Sequence, residues 1–115
     1  MSLENVVKSL NKNMKIGNIS LGVEEKEIIK IPFSSCRLNY MTYGGLPVGR
    51  IAEFYGSDGS GKTTTAIDLA GNAQKLYPDK KVLIVDIEHT FDRIWATKLG
   101  LDCDSILYFD PDSMG

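Results

Sequence analysis

An α/β fold is the class this sequence predicts: a partial parallel sheet with helices on both faces, preceded by a short N-terminal helix. Three observations carry the expectation. From residue 50 onward, strand-like and helix-like stretches alternate, the grammar of a doubly wound layer. Val82-Leu83-Ile84-Val85 is a compact apolar run of the kind buried on both faces of a parallel sheet. A glycine-rich turn then joins one strand-like stretch directly to a helix-like one.

Composition narrows the class. The 115 residues suit one small domain, and 43% hydrophobic with 24% charged residues is ordinary for a globular chain. Disordered, collagen-like and membrane-spanning chains are disfavoured, since no run approaches the roughly 18 apolar residues a span needs. The first thirty residues carry charges throughout and show no signal-peptide core, so a cytoplasmic protein with no membrane partner is expected. Net charge is −2, divided as +3 over residues 1–50 and −5 over residues 51–115. The basic bias reads as a solvated face, because a nucleic-acid footprint needs clustered cations. Cys36 and Cys103 form no CxxC pair and read as reduced thiols.

The elements follow in order. Leu3, Val6, Val7, Leu10 and Met14 recur at helical spacing, with Ser2 placed to cap them. Gly17 and Asn18 break that pattern. Residues 19–23 suggest a short extended piece, and the charged residues 24–27 a turn or strand start. Ile28, Ile29 and Ile31 predict a strand that stops at Pro32. Ser34 or Ser35 caps a helix over residues 36–43, and Gly44-Gly45-Leu46-Pro47 reads as a loop. Residues 50–55 predict a strand and residues 63–76 a helix whose apolar face is Ala66, Leu69, Ala70 and Ala73. Tyr77-Pro78-Asp79 is a turn, followed by the strand at residues 82–85. A helix over residues 91–99 closes on Gly100, and residues 106–109 form a last strand.

The glycine-rich turn carries chemistry. Gly56-Ser57-Asp58-Gly59-Ser60-Gly61-Lys62-Thr63 matches G-x-x-x-x-G-K-[ST] in full. Its glycines let several backbone N–H groups converge on one phosphate, and the helix that follows turns its positive end to the same place. Lys62 can reach the β- and γ-phosphates, and the Thr63 hydroxyl can ligate Mg²⁺. The dinucleotide spacing G-x-G-x-x-G is absent, which argues against a nicotinamide enzyme.

Asp86-Ile87-Glu88-His89 stands at the carboxyl end of the next strand. In open α/β sheets that edge faces the ligand crevice. Glu88 is a candidate general base for water attacking a γ-phosphate, while Asp86 or Glu88 could instead cap the following helix. His89 reads as packed or solvent-facing before catalytic. Trp95 reads as a core aromatic or as a flat face for a purine.

Taken together, these segments resemble the RecA recombinase family, including its phage-type members. Gly44-Gly45-Leu46-Pro47-Val48-Gly49-Arg50-Ile51, the P-loop with Thr64, Asp86-Ile87-Glu88-His89, and Phe91-Asp92 through Leu99-Gly100 carry the likeness over residues 28–112. The resemblance implies a P-loop NTPase core of the RecA type over residues 28–115, present as an N-terminal half that ends before the second acidic (Walker B) strand. Residues 1–27 would be a helix and linker, the helix either docking on a neighbouring subunit or packing on its own chain. It further implies ATP and Mg²⁺ held by Gly56 to Thr64, hydrolytic water activated by Glu88, and adenine contacted by Asp92 and stacked by Trp95. Family members form helical filaments on single-stranded DNA and exchange strands with duplex DNA during recombination and repair; their DNA-gripping regions have no counterpart in these residues. In the family's sheet order, strands without counterparts here separate the P-loop strand from residues 82–85. The resemblance therefore implies a gap in the sheet, poor stability in isolation and little ATPase activity of these residues alone. A small-molecule P-loop kinase and a non-hydrolysing ATP-binding oligomer are the competing functions.

Overall fold

The computed structural model describes residues 2–14, 17–22 and 27–112. Among the described residues it is a mixed α/β structure with two separate two-stranded sheets, one antiparallel and one parallel.

The first helix, α1, spans Leu3–Asn13. Its N-cap is Ser2, whose hydroxyl accepts from the Asn5 amide at 3.2 Å. Glu4 in the first turn and Lys12 in the last complement the helix dipole. None of its residues is buried, and Leu3 and Leu10 stay exposed. The extended piece expected at residues 19–23 is irregular where described, because the Asn11 side chain engages both polar groups of the Ile19 backbone. Val23 and the charged residues 24–26 lie outside the described residues.

The strand expected around Ile28 shrinks to β1, Lys30–Ile31, leaving Ile28 and Ile29 exposed. The loop expected at residues 44–47 is in part a strand: β2, Leu46–Pro47, pairs antiparallel with β1. Gly45 makes that approach possible. A Cβ there would lie 2.1 Å from the Ile31 carbonyl oxygen, and its φ of 129° disfavours any side chain. Between the two strands, α2 spans Cys36–Met41, shorter than expected, with Ser35 rather than Ser34 as the cap. Asn39 locks the turn before it by bonding both the amide and the carbonyl of Phe33 at 2.7 Å.

Residues 50–55, expected as a strand, form none. Ile51 is fully exposed and Tyr55 nearly so. A strand exists through its ladder, and among the described residues no neighbour supplies one here.

The remaining elements pack together. Helix α3 spans Lys62–Leu76, β3 Val82–Val85, α4 Arg93–Lys98, a 3-10 turn Cys103–Ser105 and β4 Ile106–Phe109. Strands β3 and β4 are parallel, with Val82 opposite Ile106 and Val85 opposite Phe109. Ile67 of α3, Ala96 of α4, Leu101 and Cys103 form the buried cluster. Ala70, Ile84, Phe91, Leu99 and Ile106 pack against it. The hydrophobic effect thus has one small core to act on, at the junction of α3, α4 and a single face of the parallel pair.

That placement corrects four expectations. Among the described residues the parallel pair carries helices on one face only; Leu83, Val85, Leu107 and Phe109 are exposed on the other, so β3 is not buried on both faces. Ile67, not Ala66, is the buried residue of α3's first turns, and Ala66 is exposed. Trp95 is about half exposed, at 48%, and is no core aromatic; its neighbour Ala96 fills the core. The helix expected over residues 91–99 begins at Arg93, because Asp92 caps it through the amides of Ile94 and Trp95. At its other end Gly100 and Leu101 donate to the carbonyls of Thr97 and Ala96, the paired bonds of a Schellman turn.

The radius of gyration is 19.7 Å. A compact domain of this length would measure ~13 Å. No helix of the described residues is long and apolar enough to cross a membrane.

Candidate functional site

The glycine-rich turn ends in the N-terminus of α3. Gly59 and Gly61 are left-handed, with φ of 72° and 91°. Gly61 occupies the N-cap position and offers no side-chain hydrogen bond to the helix. The first turn of any helix has amides without intrahelical acceptors. Here those amides stand beside a left-handed glycine, and 15 residues of aligned peptide dipole lie behind them. Gly56 is tightly placed as well: a Cβ there would lie 2.8 Å from the Ser60 hydroxyl. The turn is closed by Ser60 donating to the Ser57 carbonyl and by Lys62 Nζ donating to the Gly56 carbonyl at 2.6 Å. Lys62 therefore folds back over the loop. The arrangement fits an anion: uncapped amides, a cation folded across them and an exposed Thr63 hydroxyl at the helix start.

Two cavities adjoin this helix start. One, about 500 Å³, is lined by Thr63, Ala66, β3 and the run Asp86-Ile87-Glu88 together with Thr90 and Phe91. The other, about 490 Å³, is lined by Gly56, Ser57, Ser60, Gly61 and Lys62 with Phe33, Phe54 and Tyr55. Thr63 and Glu88 thus share a cavity, whereas the loop glycines open onto its neighbour. Asp92 and Trp95 line neither. Asp92 spends Oδ1 on capping α4, and Trp95 lies on the outer part of that helix.

Asp86 is the one charged residue buried among the described residues. Its carboxylate accepts from the amides of Thr90 at 3.3 Å and Phe91 at 3.0 Å, and from the Tyr108 hydroxyl at 2.9 Å. It does not cap α4; it closes the turn that carries Glu88. The Phe91 amide does most to hold its carboxyl below the usual carboxylate range, against the opposing effect of burial, with help from Tyr108, Thr90 and the charge of His89. The bond to Asp86 pushes the Tyr108 hydroxyl above its ordinary value, and burial adds to the shift. Sequence reasoning passed over Tyr108, which showed only as an aromatic inside an apolar strand.

His89 is exposed and left-handed, with φ of 56°. Its Nδ1 lies 3.2 Å from Asp110 and its Nε2 3.2 Å from Asp112. The three side chains bring ligand atoms within 4.8 Å of one another. Both imidazole nitrogens already face carboxylates, so the group reads as an exposed charge cluster. Neither cysteine is paired: Cys36 is exposed and Cys103 buried.

Comparison with known proteins identifies the family. The family model for the RecA N-terminal domain matches residues 1–115. The chain is 42% identical over 115 residues to Protein RecA of Bacteroides thetaiotaomicron, covering 97% of this chain and 33% of that protein. Over 114 residues it is 39% identical to Protein RecA of Petrotoga mobilis, covering 96% of this chain and 30% of the relative. Over 115 residues it is 39% identical to Protein RecA of Bifidobacterium longum, covering 97% and 28%. The chain therefore spans about a third of the length of these relatives, and it belongs to the RecA N-terminal domain family.

Proposed function

We propose that these residues are the nucleotide-binding N-terminal part of an ATP-dependent DNA recombinase, active in homologous recombination and repair. The observation that carries the reading is the uncapped start of α3, beside a cavity that Thr63 and Glu88 share. Residues 28–115 are read as the first half of a P-loop NTPase core, and residues 1–27 as a helix and linker through which subunits self-associate into a filament. Single- and double-stranded DNA are the partners, gripped by parts of the protein other than these residues, and the cytoplasm is the compartment.

The chemistry is phosphoanhydride hydrolysis, where catalysis is chiefly positioning and charge neutralisation. Backbone amides from Gly56 to Thr64, Asp58 among them, hold the phosphate oxygens. Lys62 supplies a positive charge to the β- and γ-phosphates, once its bond to Gly56 is given up. The Thr63 hydroxyl is the protein's ligand to Mg²⁺, which when bound screens phosphate charge. Glu88 accepts a proton from the attacking water. Asp92 and Trp95 are assigned to the adenine, Trp95 by stacking its exposed face.

The test uses the intact protein. Single-stranded DNA raises the rate of ATP hydrolysis, and Lys62→Ala abolishes nucleotide binding or turnover. Wild-type turnover in Lys62→Ala ends the phosphate-loop assignment. A rate indifferent to DNA favours a small-molecule kinase, and ATP-dependent filaments that never hydrolyse favour a purely assembling relative. Trp95→Ala weakens adenine nucleotides more than inorganic triphosphate; equal weakening removes the stacking role.

A further inference from the structure

We propose that Tyr108 is a positioning residue for Glu88, acting through Asp86. The inference rests on Glu88 being the general base.

The turn from Asp86 to Phe91 is closed by one carboxylate. Asp86 Oδ1 receives the Thr90 amide and Oδ2 the Phe91 amide, and Glu88 sits between those anchors. A base must lie within hydrogen-bond reach of the water it activates, and an error near ~1 Å can cost about a hundredfold in rate. The aim of Glu88 therefore depends on where Asp86 is held.

Strand β4 holds it twice. The Asp86 amide donates to the Phe109 carbonyl at 3.0 Å, extending the parallel ladder one residue past β3. The Tyr108 hydroxyl donates to Oδ2, the same oxygen that receives the Phe91 amide. Tyr108 also reaches the far end of the turn, with its ring 5.7 Å from that of Phe91. One side chain on the neighbouring strand thus touches the first and last residues of the segment that presents Glu88. Its register opposite Ile84 places it on the face of the sheet where Ile84 and Ile106 pack against the core, although Tyr108 itself remains about half exposed, at 47%.

The pairing lends itself to a clean deletion. Tyr108→Phe keeps the ring against Phe91 and removes the hydroxyl. In the intact protein, kcat for DNA-stimulated ATP hydrolysis falls about tenfold, the size expected for one hydrogen bond to a charged group. KM and affinity for a non-hydrolysable ATP analogue stay within about twofold, since the phosphate loop is untouched. In a Glu88→Gln background the same change has no further effect, because the two residues act as one unit.

Unchanged kcat in Tyr108→Phe, with Glu88→Gln inactive, overturns the inference and leaves the base in place. Parallel loss of nucleotide affinity and turnover overturns it in favour of a merely structural tyrosine. A further tenfold fall in the double variant overturns it by showing that Tyr108 acts elsewhere. Wild-type turnover in Glu88→Gln removes the base itself, and the positioning role with it.

Discussion

Residues 50–55 and the strands β3 and β4 are built from similar material. Arg50-Ile51-Ala52-Glu53-Phe54-Tyr55 carries three β-branched or aromatic side chains, as many as Ile106-Leu107-Tyr108-Phe109. Yet β4 joins a four-rung parallel ladder, and residues 50–55 join none. The difference lies outside both segments: β3 and β4 have each other. Strand propensity marks a candidate, and a hydrogen-bonding neighbour makes it a strand.

Helices repeat the contrast in another form. α1 has a serine cap and charges matched to its dipole, and none of its residues is buried. α3 lacks a side-chain cap and buries Ile67, Leu69 and Gly71. Capping sets where a helix starts; tertiary packing decides which helix is held.

The sharpest way to break this comparison is to truncate one aliphatic side chain in the core against which β3 and β4 pack and one in residues 50–55. Leu101→Ala removes a side chain only 1% exposed and costs about 3 kcal/mol. Ile51→Ala, at a fully exposed position, stays within ~0.5 kcal/mol. Amide hydrogen exchange across β3 and β4 reads both. Comparable losses would show that residues 50–55 are packed after all.

A smaller effect tests the antiparallel pair. Gly45→Ala sets a methyl group where the Ile31 carbonyl already stands and strains a φ of 129°, at a cost of about 2 kcal/mol. Protection at the Val48 amide, which donates to the Ile29 carbonyl, should fall while β3 and β4 keep theirs. Unaltered protection would mean that the two strands do not depend on close approach at Gly45.

The smallest expected effect is a pH response confined to one turn. Asp86 is held below the ordinary carboxylate range, so its ionised form favours the folded turn. That contribution is present above the unfolded value near ~4 and is lost as pH falls below it. Acidification should loosen the Thr90 and Phe91 amides first, as read by their NMR shifts, and Asp86→Asn should remove the response. A turn that stays closed in Asp86→Asn and through acid would mean that the carboxylate is not its anchor.

Much of the candidate site was legible from residue order. The candidate phosphate loop is contiguous, and the role proposed for it lies in its own backbone, so its eight residues announce the motif. Glu88 stood out because chemistry gathers at the carboxyl ends of strands. The sequence offers Asp86 as a possible helix cap, but in the structure Asp86 closes the preceding turn while Asp92 does the capping. Tyr108 left no signal, since its partner is 22 positions away and an aromatic in a strand is unremarkable. Trp95 was read as core by default, but a six-residue helix offers a narrow buried stripe, and Ala96 occupies it.

The amino-acid order by itself determined the helix cap at Ser2 and the helix end at Gly100, and it marked residues 56–63 as the candidate phosphate loop. Each depends on side chains or backbone angles only a few positions apart. Tertiary structure alone decided which strand-like segments became strands, which sheet face was covered, and which neighbour steadies the turn bearing Glu88. Those outcomes depend on partners far along the chain, and no local propensity encodes a partner's presence.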